Sequence, residues 1–127
     1  DADFGDFDLR VEFWVSAEAN SGIFIRCTNP ADITPTNSYE VNIFDTRPDQ
    51  RYATGAIVGV ASVANPPKAG GRWNRMLISA RGDRLSVTLN GRRTVDGVRD
   101  AAHAQGRITL QYGAGVVKFR KVAVRAL

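Results

Sequence analysis

Along most of the chain apolar and polar residues alternate with a period of two, while the 3.6-residue spacing of an amphipathic helix is almost absent. The clearest run is 7–15, where Phe7, Leu9, Val11, Phe13 and Val15 alternate with Asp8, Arg10, Glu12 and Trp14. Successive side chains of a strand point to opposite faces, so the first set is predicted to be core and the second, with Glu12 and Trp14, to lie on the other face. A second strand is predicted over 22–27, with Ile23 and Ile25 on one face and Phe24 and Arg26 on the other. A third, over 39–44, sets Tyr39, Val41 and Ile43 against Glu40, Asn42 and Phe44.

Turn chemistry separates these runs. Residues 28–38 hold Asn29, Pro30, Pro35 and Asn37 and read as a loop. Residues 45–55 form a polar connection, 56–60 a weak strand of small residues, and 65–71, with two prolines and two glycines, a loop that cannot keep up a hydrogen-bonded ladder. A meander follows: a strand over 73–80, a turn at Arg81-Gly82-Asp83, a strand over 84–89, a turn at Asn90-Gly91 and a strand over 92–95. Asn-Gly is a strong hairpin signal because both residues tolerate the positive φ of a tight turn. Arg81-Gly82-Asp83 could be taken for an integrin ligand, but lying between two alternating runs it reads as a hairpin tip. A short helical turn is predicted over 101–105, and two last strands over 107–112 and 116–124, with Ile108 and Leu110 facing the core. The pattern is that of an all-β fold in one domain, residues 1–127, with no internal repeat.

Composition narrows the chemistry. With 43% hydrophobic and 24% charged residues, the 127-residue chain is ordinary for a folded domain. The net charge of +4 raises nucleic acid as a ligand, yet the Lys and Arg residues are scattered and no aromatic residues interleave with them, so no nucleic-acid partner is expected. No apolar run reaches the roughly 20 residues of a membrane helix, and no membrane partner is expected. The N-terminus lacks the basic and apolar regions of a signal peptide. Cys27 and His103 are the only residues of their kinds, which rules out an internal disulfide and argues against a Cys/His zinc site; no metal or cofactor is expected. Cys27 reads as a small buried hydrophobe, and His103 as an exposed residue of an Ala-rich loop. No Gly-x-Ser-x-Gly elbow accompanies that histidine, so nucleophilic serine chemistry is disfavoured.

Several short motifs in order, 6–12 (DFDLRVE), 20–26 (NSGIFIR), 39–45 (YEVNIFD), 54–57 (TGAI), 73–74 (WN), 89–91 (LNG), 106–111 (GRITLQ) and 119–120 (FR), span nearly the whole chain. In this order the chain resembles the bacterial 3-keto-disaccharide hydrolase family, of the concanavalin A-like superfamily. The resemblance implies a jelly-roll β-sandwich of two antiparallel sheets, a sugar site on its concave sheet, a carbohydrate ligand, and a periplasmic or extracellular location. The chain departs from the family in two ways. It begins after a segment that would add strands in other members, so the expectation is a shortened chain, a compact variant of the domain, or an open sheet edge completed by a partner chain, including a second copy. It also carries Tyr112-Gly113 where many members have an Asp-His pair.

Glycoside cleavage can use two carboxyl groups flanking the scissile bond. Glu12 and Glu40, predicted on one face, are the candidates for acid and base, with Arg26 as orienter. Asn42 and Gln111 are candidate hydroxyl binders, and Trp14 and Phe24 candidate stacking surfaces. An equally open reading makes Glu12, Arg26 and Glu40 a structural charge network across adjacent strands. Two functions therefore stand: a glycosidase acting on small or 3-keto sugars, and a non-catalytic lectin-like module.

Overall fold

The computed structural model describes residues 3–29, 31–34 and 36–127; the two prolines of the 28–38 loop lie outside the described residues. Eight strands follow one another: β1 (Phe7–Val15), β2 (Asn20–Cys27), β3 (Tyr39–Ile43), β4 (Trp73–Arg81), β5 (Arg84–Leu89), β6 (Arg92–Arg99), β7 (Arg107–Ala114) and β8 (Val117–Ala126). They form two antiparallel sheets, one of five strands in the order β6-β5-β4-β1-β8 and one of three in the order β3-β2-β7. This is the expected β-sandwich.

Alternation drives the packing. Phe7, Leu9, Val11, Phe13 and Val15 of β1 meet Ile23 and Ile25 of β2 and Tyr39, Val41 and Ile43 of β3 in one core between the sheets, joined by Met76 and Ile78 of β4 and Leu85, Val87 and Leu89 of β5. Each such side chain contributes roughly 1.5–3 kcal/mol by leaving water. The hairpin turns form as read: Asn90 and Gly91 have φ of 50° and 84°, and Arg81-Gly82-Asp83 is a hairpin tip with Gly82 at 60°.

Two local predictions fail. Residues 56–60 make no strand; Ile57 bridges Val41 and Ala61 singly, and a turn at 58–60 absorbs the rest. Small side chains there offer too little cross-strand contact to hold a ladder. The segment nevertheless lies along the free edge of β3, where the Val58 N–H donates to the Glu40 carbonyl at 3.0 Å. Residues 101–105 are bends without a helical turn. In the polar connection a short 3-10 turn, Gln50–Tyr52, starts where the Asp49 carboxylate accepts from the Arg51 N–H.

One flank is open. Leu110 of β7 stands opposite Ile23, and Val124 of β8 opposite Leu9, so both point inward as their register requires. Yet Leu110 is 37% and Val124 41% exposed, because among the described residues no strand pairs with the outer edges of β7 and β8.

Candidate functional site

The outer face of the three-stranded sheet carries the most unusual polar group. Gly22 sits at the middle of the central strand, opposite Asn42 on one side and Gln111 on the other. A Cβ at Gly22 would stand 3.2 Å from Gln111 Oε1 and 3.4 Å from Glu40 Oε2, so these two side chains converge over the bare glycine backbone. Gln111 Oε1 is buried without a hydrogen-bond partner. Its main chain is fixed by the Ser21 hydroxyl, which donates to the Gln111 carbonyl.

Glu40 is 8% exposed, and its carboxyl makes no hydrogen bond or ion pair among the described residues. Burial pushes its pKa up from the ordinary value, against the opposing positive charge of Arg47. Phe24, 5% exposed, lies beside it across the β2–β3 pair and offers almost no ring surface to a ligand. Behind the site Asp45 ties down the rim: it accepts from the Thr54 hydroxyl at 2.6 Å and from the backbone N–H groups of Ala69 and Gly70. Neither Gly22 nor Asp45 was a sequence candidate, although both fall inside the recognised motifs.

The other expected residues are elsewhere. Glu12 projects from the outer face of the five-stranded sheet, so it and Glu40 share no cleft. Arg120 donates to its carboxylate at 2.8 Å, with Arg75 at 3.7 Å and Lys121 at 4.0 Å; the Arg120 hydrogen bond and these charges hold its pKa below the usual range. Alternation assigned both carboxylates to outward faces correctly, but there are two such faces.

Arg26 does not share the outer face with Phe24. A β-bulge between Phe24 and Cys27, with Arg26 at φ 50°, rotates its side chain into the end of the sandwich. There the fully buried guanidinium donates to the Gly5 carbonyl at 2.8 Å, the Gly82 carbonyl at 2.6 Å and the His103 carbonyl at 3.2 Å. It is a clamp on the N-terminal segment, the β4–β5 turn and the 100–106 loop. His103 is half-buried rather than exposed, its ring edge-on to Tyr39 at 4.9 Å. Cys27 is buried, as expected.

Asn42 faces outward, but its amide is already engaged: it donates to the Tyr52 carbonyl at 2.8 Å and accepts from the Ile43 N–H. Trp14 lies on the five-stranded sheet beneath Lys118, 5.3 Å from the ring centre. Of the expected set, only Glu40, Gln111, Phe24 and Asn42 share a face. Nor is that face the one with a deep hollow: a cavity of about 680 Å³ lies on the five-stranded sheet. Among the described residues no group of three or more His, Cys, Asp or Glu could hold a metal ion, and no helix is long and apolar enough to cross a membrane.

The sequence profile of the family described as 3-keto-alpha-glucoside-1,2-lyase-like domain matches residues 1–125. The chain belongs to this family. Among solved structures, a candidate glycosyl hydrolase from Parabacteroides distasonis ATCC 8503 is 23% identical and superposes with a TM-score of 0.84 over 99% of this chain and 80% of its own. A second from the same organism is 14% identical, with a TM-score of 0.85 over 99% and 72%. The carbohydrate binding module CBM66 from Bacillus subtilis is 18% identical, with a TM-score of 0.74 over 98% and 78%. These likenesses establish that the lyase-like domain shares their fold. No curated protein matches the chain.

Proposed function

We propose that this lyase-like domain acts on a sugar bound at the outer face of the three-stranded sheet, with Glu40 as its single proton-transfer group. The observation that carries the reading is the convergence of a buried carboxyl and a buried, partnerless amide oxygen over Gly22. Native interiors rarely leave such an acceptor empty, and a sugar hydroxyl donating to Gln111 Oε1 would satisfy it. Burial also makes Glu40 a stronger base than an exposed carboxylate.

One carboxylate suits elimination better than two-carboxylate hydrolysis. Hydrolysis of the usual kind needs a second carboxyl within about 5–9.5 Å, and Glu12 belongs to the other sheet. In a 3-keto glycoside the ketone acidifies the C2 hydrogen. Glu40 would take that proton, the C2–H electron pair would form the C1=C2 bond, and the C1–O bond would break with its electrons going to the leaving oxygen. That oxygen then regains a proton from the Glu40 carboxylic acid or from water. The family's description and the likeness to candidate glycosyl hydrolases support a sugar substrate. Action on carbohydrate outside the cytoplasm is consistent with this reading.

A second reading, binding without turnover, is favoured by the likeness to a carbohydrate binding module and by Tyr112-Gly113 standing where many members have Asp-His. Incubation with 3-keto and ordinary disaccharides, followed by chromatography, tests both. Consumption of a 3-keto disaccharide by the native domain, lost in Glu40→Gln while binding persists, supports the enzyme. Binding without consumption by either protein leaves the module, and failure to bind any sugar overturns both.

A further inference from the structure

The hollow on the five-stranded sheet lies on the side of the sandwich away from Glu40, and its walls are strongly basic. Arg10, Arg81, Arg84, Arg93 and Arg125 line it, against the single carboxylate of Asp8. Register explains the arrangement. Across the sheet one row runs Arg125, Asp8, Ser79 and Ser86, and the next runs Ala123, Arg10, Leu77 and Thr88, with Arg93 beyond. Outward positions of five twisted strands thus bring distant arginines together around small hydroxyl side chains, and the short side chains at the middle leave the depression.

These arginines are not equally committed. Asp8 holds Arg81 at 3.1 Å and Arg125 at 2.8 Å, and Arg93 reaches Asp96 at 3.3 Å. Arg10 and Arg84 have no ion pair among the described residues. They stand on the rows to either side of the Ser79–Ser86 row, two strands apart, and both line the hollow. A cavity of about 680 Å³ is of ligand size. Uncommitted guanidinium groups match the paired oxygens of a carboxylate or of a sulfate group, which they bind with two parallel hydrogen bonds. The hydroxyl groups between them suit a polyhydroxylated ligand, and the exposed side chain of Leu77 offers an apolar patch against the carbon side of a ring. No aromatic side chain lines the hollow, so a nucleic acid would find no surface on which to stack its bases.

We infer that this hollow is a second, separate site that binds an acidic oligosaccharide, its carboxylate or sulfate groups held by Arg10 and Arg84 and its hydroxyls by Ser79, Ser86 and Thr88. It is independent of the Glu40 site and of any turnover there.

Calorimetric titration with trigalacturonate, a sulfated dextran oligomer, neutral maltotriose and a short DNA duplex tests the inference. Either acidic sugar is expected to bind, with affinity falling as salt rises because the charges are solvent-accessible. Arg10→Ala/Arg84→Ala should weaken that binding by about tenfold or more, whereas Glu40→Gln should leave it unchanged. Both arginines are exposed and unpaired, so the double variant should keep the wild-type unfolding temperature, which confirms that it folds. Absence of binding by both acidic sugars, binding indifferent to the double variant, equal binding of maltotriose, or tighter binding of DNA would each overturn it. A loss of acidic-sugar binding in Glu40→Gln would place the ligand at the other face and overturn it as well.

Discussion

The two outer faces of the sandwich each bury a glutamate, and they treat it in opposite ways. On the five-stranded sheet Glu12 is satisfied by a close guanidinium and two further cations, which keep it ionised. On the three-stranded sheet Glu40 has no partner of its own, faces an empty acceptor, and is pushed towards its neutral form by burial. A saturated carboxylate is frame; an unsatisfied one is available for chemistry. Both are outward-facing glutamates on strands, so their neighbours distinguish them.

The largest expected effect concerns neither glutamate but Arg26. Arg26→Met strips several carbonyl oxygens of their buried donor and should cost about 3–5 kcal/mol, seen as a collapse of the urea midpoint. A variant with unchanged stability and weakened sugar binding would return Arg26 to the site. Next, Glu40→Gln should lower turnover of a 3-keto disaccharide by about a hundredfold or more.

The same substitution should raise Tm at neutral pH by ~4 °C, corresponding to about 1 kcal/mol in a domain of this size. Because the folded pKa of Glu40 is raised, native stability falls as pH climbs above the ordinary value of 4.5 and through the folded pKa. The advantage of Glu40→Gln should therefore vanish in acid below that value. A thermal series across pH in which the gain persists at low pH would contradict the assignment.

Gly22→Ala should weaken sugar binding by about tenfold while leaving the domain folded. The new methyl group would sit 3.1 Å from the Val41 carbonyl and press on Gln111 and Glu40, and φ at Gly22 is not in the left-handed region. Sugar titration of this variant reads the effect. The smallest change is expected for Glu12→Gln, whose partners are exposed, with Tm within about 2 °C of the native domain. Its sign should mirror that of Glu40: the lowered pKa stabilises the fold above 4.5, and the difference between native and variant fades as pH falls through the folded value.

Much of the frame was legible in the chain. The runs at 7–15 and 84–89 alternate cleanly because one face of each is dry, and their inward sets, like Tyr39, Val41 and Ile43, are the observed core. Asn90-Gly91 and Arg81-Gly82-Asp83 announced their hairpins because few residues accept positive φ. Of the expected residues, Glu40, Asn42, Gln111 and Phe24 share one sheet face. Glu40 and Gln111 could be assigned outward by period two. Arg26 could not be read correctly, since a single extra residue in β2 reverses the side on which every later side chain emerges, and nothing in IFIRC marks that bulge.

By itself, then, the sequence determined an all-β chain, the inward and outward residues of its main strands and the positions of its tight turns, because these depend on local periodicity and backbone freedom. Tertiary structure alone decided which outward residues are neighbours. Strand order separates Glu12 from Glu40, gathers Arg10 and Arg84 from different strands, and sets Gln111 beside Glu40 across Gly22. Pairing between strands far apart in sequence depends on how whole faces fit, and alternation along one strand carries no information about which strand will lie beside it.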